Sequence, residues 1–146
     1  MTNINFTPCP KPTVGIEVEI QLIDKESLNM ANSYQKLIEM VPEEFKFYFK
    51  EELIQSVVEI TSGVADDIAM LEKDMKDKYL MAWDIADRCG LHLGFAGTHP
   101  FTRWPEQRVT NRDRYQNLVR DLQYVARRMM IFGLHVHVGV DGGDKA

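Results

Sequence analysis

An α+β fold, with a largely antiparallel sheet backed by two long helices on one face and open for a site on the other, is what this sequence predicts. Three observations predict it. Residues 13–22 alternate polar and apolar side chains without a break, the period-2 pattern of a half-buried β-strand. Residues 134–140 repeat that pattern near the other end of the chain. Between them, stretches at about 66–89 and 112–131 keep apolar residues at helical spacing. Strands grouped around helices, rather than alternating regularly with them, favour antiparallel pairing.

In chain order, residues 1–12 hold Pro8, Pro10 and Pro12 and form an extended lead-in, since proline lacks the amide a helix needs. In the first strand Val14, Ile16, Val18, Ile20 and Leu22 point to one face, and Gly15, Glu17, Glu19 and Gln21 to the other. Asp24, Lys25, Glu26 and Ser27 make a turn. Residues 33–40 fit a short helix stopped near Pro42. Residues 45–50 are aromatic and partly alternating, which reads as a strand. Another strand is expected over 53–61, with Ile54, Val58 and Ile60 on one face and Gln55, Val57, Glu59 and Thr61 on the other. Ser62-Gly63 breaks it. The first long helix follows, striped by Ile68, Leu71, Met75, Ala82 and Ala86, and Gly90 ends it. Residues 91–95 are a short strand, and 97–111 a long polar loop with Pro100 and Pro105. The second helix buries Tyr115, Leu118, Val119, Leu122, Val125, Ala126 and Met129, and Gly133 hands over to the last strand.

The 146 residues suffice for one domain with a core, and 45% hydrophobic and 27% charged content is that of a globular protein. A net charge of −5 argues against a broad nucleic-acid surface. The most apolar run, 129–140, is too short to span a bilayer and holds two histidines, so no membrane partner is expected. Cys9 and Cys89 form neither a metal spacing nor a disulfide framework, which points to a reducing, cytoplasmic setting. Residues 1–5 lack the basic and apolar regions of a signal peptide. The tail 141–146 is a turn signal with nothing after it, so the N-terminal part of a longer polypeptide is expected.

Chemistry concentrates on the polar faces. Glu17 and Glu19 lie side by side, where like charges repel unless a cation sits between them or water screens them. Hard carboxylate oxygens suit Mg²⁺; an ordinary water-facing strand is the plain alternative. His135 and His137 share one face of the last strand, placed to ligate a metal, shuttle protons or touch phosphate, or simply to be satisfied core histidines. Glu59 interrupts an apolar strand, where burial without a partner is costly, unless it is a rim residue bonded to a loop. Glu51 and Glu52 open that strand, and composition does not choose between them. Arg103, Arg108, Arg112 and Arg114 make the 97–114 region locally basic. Their forks suit carboxylate or phosphate, or else pair locally with Glu106 and Asp113. Acids and imidazoles turned outward from three strands beside a basic loop would hold divalent metal and present it to phosphate.

Four blocks then stand in a telling order: Gly15-Ile16-Glu17-Val18-Glu19; Glu52-Leu53 with Val58-Glu59-Ile60; Gly97-Thr98-His99-Pro100 with Trp104, Gln107 and Arg114-Tyr115; and Gly133-Leu134-His135-Val136-His137-Val138-Gly139. The set resembles the glutamate–cysteine ligase type 2 family, carboxylate–amine ligases related in fold to glutamine synthetase, over nearly all of 13–140. One departure is Ala65, near where family members often carry cysteine.

The resemblance implies that residues 13–146 are the N-terminal portion of a glutamine-synthetase-like catalytic domain, holding half a site. It implies ATP-dependent amide-bond formation. A carboxylate, typically the γ-carboxylate of glutamate, is phosphorylated, and an amine such as that of cysteine displaces the phosphate. It implies metal positions at Glu17, Glu19, Glu52, Glu59 and His135 for Mg²⁺, with Mn²⁺ as alternative. Beside these, Arg114 and His137 are assigned to the catalytic step, and Arg103, Arg108, Gln107 and Tyr115 to the ATP side. Expected partners are small molecules, with no nucleic acid and no membrane; an oligomer is left open. The rival reading is a small cupin-type metal barrel built on His135 and His137. Such sites usually carry a glutamate a few residues on, where only Asp141 and Asp144 follow here.

Overall fold

The computed structural model describes residues 6–146. Residues 1–5 of the expected lead-in lie outside the described residues. Strand β1 (Val14–Asp24) is bonded along both edges. One edge pairs with β3 (Val57–Thr61), setting Glu17 opposite Thr61 and Glu19 opposite Glu59. On its far side β3 carries β2 (Phe49–Glu51), with Lys50 opposite Glu59. The other edge of β1 is shared. Its first half takes β5 (Leu134–Val138), placing Glu17 opposite His135 and Gly15 opposite His137. Its second half takes β4 (Leu91–Gly94). The result is an open, antiparallel, five-stranded sheet. A cupin reading would need a closed barrel.

Alternation in β1 and β3 sends Val18, Ile20, Leu22, Val58 and Ile60 into the main core. Helix α2 (Ile68–Arg88) covers that face with Leu71, Met75, Ala82, Ile85 and Ala86, and α1 (Tyr34–Ile38) adds Leu37. The Asp67 carboxylate caps α2 by accepting the Met70 amide at 2.8 Å. Gly90, at φ +75°, closes its other end, as the sequence predicts. Lys78 is buried in this layer: its ammonium donates to Asp74 at 2.6 and 2.5 Å and lies 3.8 Å over the Tyr48 ring. Asp74 also accepts the Gly63 amide at 2.9 Å, tying α2 to the turn after β3.

Three expectations change. Most of 45–50 is not strand but part of a 3₁₀ turn, Glu43–Tyr48, and only Phe49–Glu51 is extended. Pro42 presets the entry, and Phe45 and Tyr48, three residues apart, pack on the core while Phe47 faces water. The strand expected over 53–61 shortens to β3, because a turn closed by Val57 N–H donating to the Ile54 carbonyl at 3.2 Å resets the alternation. Ile54 therefore joins Val57 in a second cluster instead of joining Val58 and Ile60. The helix expected over 112–131 is two pieces, α3 (Asp113–Leu122) and α4 (Tyr124–Arg127), broken at Gln123, whose φ is +48°. Leu122, Val125 and Met129 consequently face solvent. One long helix backs the sheet, not two.

The second cluster, Met30, Ile54, Val57 and Met130 with Leu53, Trp104 and Phe132, sits on the polar side of the sheet. It roofs the end of β1 where Gln21, fully buried, donates to the Ala96 carbonyl at 2.8 Å. The site face is thus covered at its Gln21 end. No described helix is long and apolar enough to cross a membrane.

Candidate functional site

Strand pairing gathers the acids. Glu19 and Glu59 face each other across the β1–β3 ladder, Glu17 lies two positions along, and Glu52 follows the end of β2. Carboxylate oxygens of Glu19, Glu52 and Glu59 all lie within 4.8 Å of one another. Bonds of about 2.1 Å to Mg²⁺ would need them roughly 3 Å apart, a closure within side-chain rotation. Neighbouring donors hold the set in place. The Gly133 amide donates to Glu19 at 2.9 Å, and the Leu53 amide to Glu52 at 3.0 Å. A cavity of about 300 Å³ opens beside them, between Glu19, Glu52 and His135 on one side and Ile54, Val57 and Phe132 on the other.

The imidazoles meet the cluster at its open end. Glu17 Oε2 lies 3.3 Å from His137 Nε2 and 3.5 Å from His135 Nδ1, while both rings stay largely exposed. Lys50 completes the group, its ammonium 3.5 Å from Glu59 and 4.0 Å from Glu17.

The acids differ in charge state. Burial pushes the Glu59 carboxyl up, and the charges of Glu17 and Glu52 push it further, against the pull of Lys50. Burial likewise raises Glu52, with the Glu19 charge adding, although the Leu53 amide works the other way. Glu17 also feels burial, but hydrogen bonding and charge from His137, then Lys50 and His135, outweigh it and leave it low. Glu52 and Glu59 therefore bind protons more readily folded than unfolded, so folding stability falls as pH rises from their ordinary 4.5 through the raised values. Above that window the cost is fully present. Glu52→Gln is expected to raise the metal-free melting temperature at pH 7–8 by roughly 3 °C, about 1 kcal/mol. The gain should vanish near pH 4.5; thermal melts across pH check it, and a pH-independent gain would discount the charge explanation.

The structure brings Glu17, Glu19, Glu52, Glu59, His135 and His137 together. Arg114 and Tyr115 stand at the Glu52 edge. The Arg114 guanidinium stacks 4.2 Å from the Tyr115 ring centroid and bonds its hydroxyl, which donates to the Glu51 carbonyl at 3.1 Å. Burial raises the Tyr115 hydroxyl well above its ordinary range, with the Glu52 charge adding. Gln107 spends its side-chain oxygen on the Ser56 hydroxyl and lines a separate small cavity with Trp104 and Arg127. Arg103 and Arg108 are exposed on the loop, outside the residues lining the 300 Å³ cavity. Sequence reasoning missed Lys50 and the Gly133 amide. The signal for Lys50 was its place in an aromatic run near Glu51 and Glu52, but only the β2–β3 register puts it opposite Glu59.

The family model described as glutamate–cysteine ligase family 2 matches residues 13–146. Curated relatives provisionally named glutamate–cysteine ligase 2 are 36% identical in Thermobifida fusca over 146 residues and 39% identical in Gloeobacter violaceus over 145 residues. A relative with the same provisional name in Mycobacterium tuberculosis is 36% identical over 142 residues. These alignments cover 97%, 98% and 97% of this chain but 37%, 39% and 37% of the relatives. The chain thus spans less than two-fifths of their length. With the match running from the start of β1 to the last residue, this chain belongs to the glutamate–cysteine ligase family 2.

Proposed function

We propose that this chain is the metal-holding portion of an ATP-dependent carboxylate–amine ligase that works through an acyl phosphate, within a glutamine-synthetase-like catalytic domain. The observation that supports it best is the convergence of Glu19, Glu52 and Glu59 from separate segments onto one point. Three carboxylates this close together fit a hard divalent cation, Mg²⁺ or Mn²⁺, with Glu17 and His135 as further ligands at the open end. Such an ion neutralises charge on a transferring phosphoryl group. The names of the relatives suggest a glutamate-like carboxylate and an amine such as cysteine as substrates.

The chain's own residues take definite parts in this reading. Glu17 lies against both imidazoles and holds them in place, leaving the exposed His137 ring to meet phosphate. Arg114, braced on Tyr115, offers its fork to a substrate carboxylate or phosphate. Arg103, Arg108 and Gln107 with Tyr115 are assigned to the ATP side. The apolar wall of Ile54, Val57 and Phe132 keeps water from one side of the reacting carboxylate. The reducing, ATP-supplied cytoplasm is the setting this chemistry suits. In a full-length family chain carrying this segment, phosphate release is expected to require ATP, Mg²⁺, glutamate and an amine together. Release indifferent to both carboxylate and amine, or none with any common amino acid as amine, would overturn the proposal.

A further inference from the structure

Lys50 carries a cation into the acid cluster, at 3.5 Å from Glu59 and 4.0 Å from Glu17. We propose that Lys50 is a built-in stand-in cation, which holds Glu59 and Glu17 before a divalent ion arrives, competes with that ion for Glu59, and leaves Glu59 when the ion binds. This rests on the metal reading of Glu19, Glu52 and Glu59.

Glu59 belongs to both sets. Its oxygens lie within the 4.8 Å cluster with Glu19 and Glu52, and it is also the nearest partner of the Lys50 ammonium. An ion in reach of the three carboxylates would stand a few ångströms from that ammonium. The Glu59 side chain is only 10% exposed, so water does little to screen the repulsion between the two cations. One of them must yield. Lys50 is built to do so: its side chain is 44% exposed, and its charge is a compact head on a flexible four-carbon stem that water solvates readily. The register ensures the pairing in the ion's absence, because Lys50 and Glu59 are direct partners across the β2–β3 ladder. The affinity of the site for a divalent ion is therefore lower than the three carboxylates alone would give.

The test is a Mn²⁺ titration of a full-length family chain carrying this segment, with free Mn²⁺ read by electron paramagnetic resonance, for wild type, Lys50→Met, Lys50→Arg and Glu52→Gln. Methionine keeps an unbranched stem without the charge. Lys50→Met is expected to bind Mn²⁺ about 10-fold more tightly than wild type, and Lys50→Arg about as wild type does. Lys50→Met without metal should also melt lower, since Glu17 and Glu59 lose their counter-ion. Equal affinity in wild type and Lys50→Met overturns the stand-in role even if the melting temperature falls, because a merely structural lysine moves only the latter. Glu52→Gln keeps the two failures apart. If it binds Mn²⁺ as wild type does, or if neither wild type nor Lys50→Met binds at all, the metal reading itself is wrong and the role of Lys50 falls with it.

Discussion

Glu59→Gln in a full-length family chain is expected to lower phosphate release by about 10³-fold while leaving the melting temperature within about 3 °C of wild type. Glu59 is the centre of the cluster, facing Glu19 on one side and Lys50 on the other. The amide keeps the shape and removes the charge that a divalent ion needs. Stability changes little because two effects oppose each other: repulsion from Glu17 and Glu52 is relieved, and the pairing with Lys50 is lost. Glu17→Gln is expected to act as strongly, through the two imidazoles its carboxylate orients. Phosphate release with glutamate and an amine, measured beside a thermal melt of the same preparation, checks both. Normal turnover in either variant removes the metal-site assignment.

Asp74→Ala is expected to destabilise the chain by about 3 kcal/mol, a fall of roughly 10 °C in melting temperature. The Lys78 side chain is 2% exposed and Asp74 is its ion-pair partner, so the alanine leaves an ammonium in the core facing the Tyr48 ring without its carboxylate. The Gly63 amide loses its acceptor in the same change. Lys78→Met should behave differently. It removes the buried charge while filling the space, and the partly exposed Asp74 can turn to water. A cost below about 1 kcal/mol is expected for it. Denaturant unfolding of both variants decides; equal losses would mean that packing, not charge, governs this pair.

Features written in local periodicity were legible in the sequence. The β1 alternation survives in full because one of its faces is buried and the other polar along most of its length. Helix α2 was legible from its apolar stripe and Gly90, whereas its Asp67 cap emerged only in the structure. Glu17, Glu19, Glu59, His135 and His137 could be assigned to polar faces by counting in twos, and the resemblance singled out Glu52 from its neighbour Glu51. What escaped depends on long-range pairing or a single backbone angle. The φ of Gln123 splits the second helix, and nothing about glutamine announces a left-handed position. The aromatic run before Phe49 favours a strand by composition, yet the tertiary contacts of Phe45 and Tyr48 select a 3₁₀ turn. Lys50 enters the site only through its register with Glu59, which no local pattern encodes. The roof over Gln21 comes from residues far along the chain, so the extent of the open face was not readable either.

Being stitched along both flanks gives β1 a sidedness ruled by parity. Inserting or deleting one residue within it would swing Glu17 and Glu19 in among Leu37 and Ile85, and turn Val18 and Ile20 out toward the imidazoles. An insertion of two would restore the facing yet carry Glu17 past His135 and Glu19 past Glu59. Core and chemistry here can drift by substitution, but their length is frozen together.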